Sequence, residues 1–239
     1  MIVTVIIPFF NEEKTIIKIL KKVNIQKKFF NLQVIVSNDG SNDKTKTLLK
    51  KNKYLFDILI NSKKNYGKGH AIKLVRNKIK GQIVLIQDAD LEYNPKDYKR
   101  LLKPIINKET NCVYGSRVLG RKSFFIPKKI NANFRIFANF FLTFLSNFLN
   151  KQDLTDAHTC YKVIKMNIYD KINIFENSFS FCPELTTKIS LLKEKIIEVP
   201  ISYYGRSIKD GKKIRFKDAI HAIFTILKIR ILYLCKGQI

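Results

Sequence analysis

Ile83-Val84-Leu85-Ile86-Gln87-Asp88-Ala89-Asp90-Leu91-Glu92-Tyr93 is the stretch on which the fold turns. Four apolar residues run up to three acids, the pattern of a buried strand that ends in solvent. Side chains alternate along an extended chain, so a continued strand puts Asp88, Asp90 and Glu92 on one side. Three like charges on one side repel unless a cation lies between them. Oxygen ligands of this kind suit a hard divalent cation, Mg2+ or Mn2+. The same pattern also fits a polar strand end that caps a loop.

Apolar runs of the same kind recur on both sides of this stretch. Residues 3–7, 32–36, 56–60, 82–87 and 112–114 read as strands, and helical patterns separate them. That alternation predicts an α/β fold with a doubly wound parallel sheet. In such sheets ligands bind at the carboxyl ends of the strands, so the residues just past each strand become the candidates. After the first strand come Pro8 and Phe9-Phe10-Asn11-Glu12-Glu13, where Asn11 fits a helix N-cap and the acids suit the first turn. After the second come Asn38-Asp39-Gly40-Ser41, with Asp39 placed to accept hydrogen bonds from a base or ribose. Gly67-Lys68-Gly69 opens a helix, and the glycines allow close backbone approach while Lys68 suits phosphate. Asn94-Pro95 reads as a helix start. Arg117, after Gly115-Ser116, suits a diphosphate. No G-x-G-x-x-G follows the first strand and no G-x-x-x-x-G-K-[ST] occurs, which excludes a Rossmann dinucleotide site and a P-loop.

The 239 residues carry 45 Lys+Arg against 19 Asp+Glu, a formal charge of +26. A field of that size favours polyanions: nucleic acid, anionic lipid or phosphorylated small molecules. It is permissive only, because Lys, Asn, Ile and Phe are abundant together, as in the proteins of AT-rich genomes. No RRM, KH, zinc-finger or helix-turn-helix signature is present, which argues against specific nucleic-acid recognition. Cys112, Cys160, Cys182 and Cys235 form no C-x-x-C pair and lie in or near apolar runs. They read as buried thiols in a reducing compartment. The amino terminus lacks the pattern of a signal peptide, and no uncharged run is long enough to span a bilayer. The chain reads as cytoplasmic, with room for membrane association.

Beyond Arg121 the character changes. Lys122, Lys128, Lys129 and Arg135 cluster around a Phe-rich run. In it Arg135, Asn139, Thr143, Ser146, Asn147 and Asn150 share one narrow helical stripe, and the rest is apolar, with six phenylalanines. Such a helix fits the bilayer interface, a protein core or a dimer contact. Asp153 to Cys160 then leads into a strand at 161–164, Pro183 lies in the first turn of a further helix, and 196–201 is a last strand. A basic loop follows with Arg206, Lys212 and Lys213, and 216–235 reads as a final, largely apolar helix.

In order, Pro8-Phe9-Phe10-Asn11-Glu12, Asn38-Asp39-Gly40-Ser41, Gly67-Lys68-Gly69, Gln87-Asp88-Ala89-Asp90-Leu91-Glu92, Gly115-Ser116-Arg117, Asp156 with Cys160-Tyr161-Lys162, Pro183-Glu184 and Glu198-Val199-Pro200-Ile201 resemble the family 2 glycosyltransferases of GT-A fold. The likeness is greatest to the polyprenyl-phosphate (dolichol-phosphate) hexosyltransferases. The resemblance implies a GT-A domain over residues 1–205, with a Phe-rich interface helix at 131–150, then a basic loop and C-terminal helix over 206–239. It implies inverting transfer of a hexose from a nucleotide sugar to a polyprenyl phosphate, with Mg2+ or Mn2+, at the cytoplasmic face of an anionic membrane. A membrane-anchoring protein or a second copy would be its protein partner. A saccharide acceptor, and a non-enzymatic basic protein that binds membrane or nucleic acid, are the competing readings.

The resemblance also implies roles. Asp88, Asp90 and Glu92 would hold the metal, with Asp90 the main ligand. Pro8, Asn11, Glu12, Asn38, Asp39, Lys68, Gly69, Asp88, Ala89, Asp90, Arg117, Arg206, Lys212 and Lys213 would contact the nucleotide sugar. Asp90, Arg117, Asp156 and Glu184 would form the catalytic set. Asn38 departs from the usual Asp-Asp pair at that place.

Overall fold

The computed structural model describes residues 1–119, 130–205 and 216–236. Seven strands form one sheet: β1 (Ile2–Phe9), β2 (Asn31–Asn38), β3 (Ile58–Asn61), β4 (Ile83–Ile86), β5 (Cys112–Ser116), β6 (Lys162–Lys165) and β7 (Ile196–Pro200). Their order is β3-β2-β1-β4-β6-β5-β7. The helices are α1 (Ile16–Gln26), α2 (Thr45–Lys51), α3 (Lys68–Leu74), α4 (Tyr98–Ile106), α5 (Ile130–Asn150), α6 (Met166–Tyr169), α7 (Phe181–Leu191) and α8 (Phe216–Lys236). The β-branched runs of β1 and β4 are buried on both faces, as a sheet covered by helices on each side requires. Helix α1 lays Ile16, Ile19, Leu20 and Val23 against that core, an i, i+3, i+4, i+7 stripe.

One strand breaks the parallel pattern. β6 runs antiparallel to both β4 and β5. The long excursion through α5 returns the chain to the carboxyl edge of β5, so the next strand descends from that edge. Its starting residue Lys162 pairs with Tyr114, while Val163 pairs with Leu85. The loop that precedes it, from Asp156 to Cys160, therefore lies at the same edge as the ends of β1, β2 and β4. β7 is parallel to β5 and pairs Pro200 with Ser116, which delivers Ser202 and Tyr203 to that edge as well.

Three sequence expectations need correction. Asn11 is not an N-cap: it has φ 52, and α1 begins only at Ile16 without a side-chain cap. Cys235 is exposed, unlike the other three cysteines. The acids after β4 do not continue an extended strand, because the chain turns at Ala89 and Asp90, and Leu91 has φ 66.

Helix α5 is built inside out. Its polar residues Thr143, Ser146 and Asn150 are buried, while Phe140, Phe144 and Phe148 are 69%, 61% and 74% exposed. Asn147 pins the inner face to the chain through both its bonds with the Leu154 backbone. Helix α8 packs against α5 and α7 and exposes Ile220, Phe224, Leu227, Ile231 and Leu234. Among the described residues no helix is long and apolar enough to cross a membrane. The basic flank at Lys122, Lys128 and Lys129 lies outside the described residues, as does the loop holding Arg206, Lys212 and Lys213.

Candidate active site

Gln87 fixes the acidic turn from beneath. It is fully buried, its Oε1 accepts the hydroxyls of Tyr98 and Tyr161 at 2.9 and 2.8 Å, and its Nε2 donates to the Asp88 carbonyl. A buried amide with each group paired has one stable orientation, so the turn above it is held in place. Asp88 and Asp90 are half-buried there, and the Glu92 amide donates to Asp90 Oδ1 at 3.1 Å. Asp88 Oδ1 is paired with the Lys68 ammonium, which also lies 3.4 Å from Cys160 Sγ. Burial opposes the charge on Lys68, yet Asp88 outweighs it and raises the ammonium well above its usual range.

Glu92 turns away from the other two acids. Its Oε2 accepts from Tyr203 Oη at 2.6 Å, and its carbonyl accepts from the Tyr204 amide. Among the described residues no three His, Cys, Asp or Glu side chains converge on a point. The expected three-carboxylate ligand set is thus not assembled, because the turn at Leu91 rotates Glu92 out of line. Asp88 and Asp90 still fit a hard cation. They offer only oxygen, and the Lys68 ammonium against Asp88 shows that this carboxylate accepts a cation.

Asp39, Asn38, Asn11 and Glu12 stitch neighbouring loops together. Both Asp39 oxygens accept backbone amides, from Tyr66 at 3.1 Å and Gly67 at 2.6 Å. Asn38 is fully buried; it donates to Asn61 Oδ1 and accepts from the Ser41 amide. The Asn11 side chain pairs with Asn42, and Glu12 Oε2 accepts from Thr15. Pro8 lies within β1, opposite Ser37 of β2. The glycines at 67 and 69 serve the chain rather than open space for phosphate. A Cβ on either would come within 2.4 Å of the carbonyls of Asn177 and Glu176, and Gly67 has φ 116.

That neighbouring loop is the work of Glu184. Its carboxylate is fully buried and accepts the amides of Phe175 and Glu176 at 2.7 and 2.8 Å, and it pairs with Lys188 at 2.9 Å. The loop in turn accepts the amides of Gly69 and His70, which start the helix carrying Lys68. Glu184 is therefore not gathered with the other acids. It acts through the loop, and is a positioning residue. Glu184→Ala leaves two amides without an acceptor and the buried Lys188 ammonium with no counter-charge, only the Asn173 carbonyl, so we expect a loss of about 3–5 kcal/mol. Denaturant unfolding reads this, and Glu184→Gln should recover part of it.

Arg117 and Asp156 form a two-pronged ion pair at the same edge. Arg117 Nε and Nη2 donate to the two Asp156 oxygens, both at 2.7 Å, and its backbone amide adds a third bond. Asn139 of α5 joins them, and the guanidinium lies 5.2 Å from the Tyr203 ring centre. Burial would push the Asp156 carboxyl up, but Arg117 outweighs it and holds the group below the usual carboxylate range. Two residues on, His158 Nε2 is buried without a partner. Burial and Lys162 lower the imidazole to about 4.

Between pH 6.5 and about 4 the unfolded chain then binds a proton at this histidine that the folded chain does not. Stability should fall by on the order of 3 kcal/mol as pH drops through that window. His158→Gln should flatten that slope in denaturant titrations across pH.

The residues missed from the sequence are those that act on neighbours. Glu198 accepts the Thr155 amide, the Thr155 hydroxyl and the Asp156 amide at 2.6, 2.8 and 2.9 Å, so it holds the loop that carries Asp156. Asn139 and Tyr203 bind Asp156 and Glu92. Asn139 was visible as part of the polar stripe, and Glu198 as part of a motif, but neither signal specifies a partner.

A mixed, mostly parallel sheet with an acidic turn past its central strand and a carboxylate–guanidinium pair opposite defines a GT-A glycosyltransferase. The chain belongs to the glycosyl transferase family 2, whose family-level pattern matches residues 4–172. It is 27% identical over 245 residues to a dolichyl-phosphate beta-glucosyltransferase of Trichomonas vaginalis, covering 96% of this chain and 73% of that protein. It is 24% identical over 232 residues to the undecaprenyl-phosphate 4-deoxy-4-formamido-L-arabinose transferase of Photorhabdus laumondii, covering 94% of this chain and 66% of that one. The fold matches glucosyl-3-phosphoglycerate synthase of Mycobacterium tuberculosis in complex with Mn2+, UDP and glucosyl-3-phosphoglycerate. There the TM-score is 0.69, with 15% identity, 95% of this chain and 79% of that chain covered.

Proposed function

We propose that this glycosyltransferase transfers a hexose from a nucleoside-diphosphate sugar to a polyprenyl phosphate at the cytoplasmic face of a membrane, with inversion at the anomeric carbon. The observation that carries the reading is the inverted helix α5. Its polar face reaches Arg117 and Asp156 through Asn139, while Phe140, Phe141, Phe144 and Phe148 face outward. A site tied to an outward apolar face suits an acceptor whose phosphate is reactive and whose tail is dissolved in lipid. The names of the relatives, which act on dolichyl or undecaprenyl phosphate, support the same acceptor class.

The phosphate oxygen of the acceptor forms a bond to the anomeric carbon as the bond to the nucleoside diphosphate breaks. That oxygen is ionised at neutral pH and needs no strong base. Asp156, held ionised by Arg117, is a weak base suited to orienting the sugar and acceptor. Bound by Asp88 and Asp90, Mg2+ or Mn2+ would neutralise charge on the departing diphosphate. Lys68, with its ammonium at Asp88, would sit beside that diphosphate. Asp39 and the Gly67 turn it holds would border the base and ribose.

The test is a donor screen of GDP-mannose, UDP-glucose and related nucleotides with Mn2+ or Mg2+ and a short polyprenyl phosphate. Turnover with lipid phosphate is expected; turnover with saccharide acceptors alone would overturn the acceptor assignment. The membrane contact has its own check. Phe144→Asp with Phe224→Asp should weaken flotation with phosphatidylglycerol-containing vesicles by roughly tenfold or more. Unchanged flotation would leave α5 and α8 to another partner.

A further inference from the structure

A second cleft, lined mostly by basic and polar residues, lies at the opposite edge of the sheet from Asp90 and Asp156. It has a volume of about 470 Å³ and is lined by Asn150, Lys151, Lys193, Lys195, Arg230 and Tyr233, among others. Lys195 immediately precedes β7, whose five residues place the cleft about 16 Å from the Pro200 end. Helix α5 spans the same interval, with Asn139 at the Asp156 end and Asn150 at the cleft.

The charges of the cleft are unbalanced. Lys151, Lys193, Lys195 and Arg230 face one carboxylate, Glu194, which accepts from Asn111 at 2.9 Å. Helices α5 and α7 end here, and their carbonyl ends contribute about one negative charge together. About two positive charges remain, an excess that attracts the single negative charge of a phosphodiester. The cleft also holds three polar atoms that are buried without a partner: Asn150 Oδ1, Gln152 Oε1 and Gln152 Nε2. Asn150 itself is only 2% exposed. Donors and acceptors left open beside a phosphate site suit hydroxyl groups. The exposed Phe148, Ile231 and Leu234 adjoin the cleft along α5 and α8.

We propose that this cleft binds the phosphoglycerol headgroup of an anionic phospholipid, with the phosphate on Lys193 and Arg230 and the glycerol hydroxyls on Asn150 and Gln152. The inference rests on the reading that α5 and α8 meet a membrane, and adds to it a specific headgroup. It would fix the depth and rotation of the protein on the bilayer, with α5 connecting the anchored end to the active edge.

Two measurements on the full chain test it. In the first, Lys193→Ala with Arg230→Ala is compared with Lys50→Ala with Lys51→Ala, an equal loss of charge on α2 at the far edge of the sheet. Binding to phosphatidylcholine vesicles containing phosphatidylglycerol should weaken roughly tenfold for the cleft variant and about twofold or less for the control. Equal losses would overturn the cleft. In the second, water-soluble dihexanoyl phosphatidylglycerol should protect Lys193 and Lys195 from reductive methylation while leaving Lys50 reactive. Equal protection by inorganic phosphate would reassign the site to free phosphate, and no protection would remove it. If Phe144→Asp with Phe224→Asp abolishes vesicle binding while the cleft variant binds like wild type, the membrane contact stands and the headgroup site falls. If neither variant matters, both fall.

Discussion

Asp90→Asn should lower sugar transfer by about a thousandfold, roughly 4 kcal/mol of transition-state stabilisation, with Tm shifted by no more than about 2 °C. The amide keeps the size of the side chain and can still accept from the Glu92 backbone, which Asp90 Oδ1 does now. It loses the charge that a hard cation requires. Isothermal titration with Mn2+ and UDP separates this effect from a fold defect: the variant should lose the Mn2+-dependent part of nucleotide binding. Asp88→Asn should behave differently. It removes the partner of Lys68, whose side chain is only 13% exposed, so a stability loss of about 1–3 kcal/mol should accompany the loss of activity. Retained transfer in Asp90→Asn, in a folded protein, would overturn the assignment of the turn.

The difference between those two variants also marks what a sequence can hold. Strand positions were legible because most are short apolar runs bounded by turn residues, and in β1, β2 and β4 burial on both faces leaves no alternation to misread. The carboxyl edge of β1, β2 and β4 followed from the parallel pattern, and with it the neighbourhood of Asp39, Asp88 and Asp90. The direction of β6 was not legible. Four residues, Lys162–Lys165, pair as well in either sense, and the direction depends on where the excursion through α5 returns the chain. Glu92 was misplaced for a local reason, since Leu91 enters the left-handed region and breaks the period of two. Glu184 looked catalytic because a carboxylate in a motif carries no label for its partners. Burial against two amides and Lys188 gives it a different task. The polar stripe of α5 was readable as a stripe, but whether it faces water or the protein is decided by Arg117, Asp156, Thr187 and Leu154, which lie elsewhere in the chain.

The Arg117–Asp156 pair carries the second large effect. Asp156 is fully buried, and both of its oxygens are bound by one guanidinium. Arg117→Ala strands that carboxylate away from water, which should cost about 3–5 kcal/mol and lower Tm by roughly 10 °C. The pH dependence follows from the sign of the shift. With Arg117 present the Asp156 carboxyl lies below its usual range, so its contribution is present at neutral pH and is lost as pH falls through that lowered value. Without the Arg117 side chain, burial is opposed only by the backbone amide of residue 117 and by Asn139, and the carboxyl moves up. The variant should therefore regain stability relative to wild type as pH falls from 7 towards 4, because Asp156 becomes neutral. A double variant, Arg117→Met with Asp156→Leu, removes both charges and should restore most of the stability, yet remain inactive. That combination separates the two tasks of the pair. If the double variant transfers sugar, the pair only supports the fold. If it is stable and inactive, Asp156 serves the reaction and Arg117 holds it in the charged state.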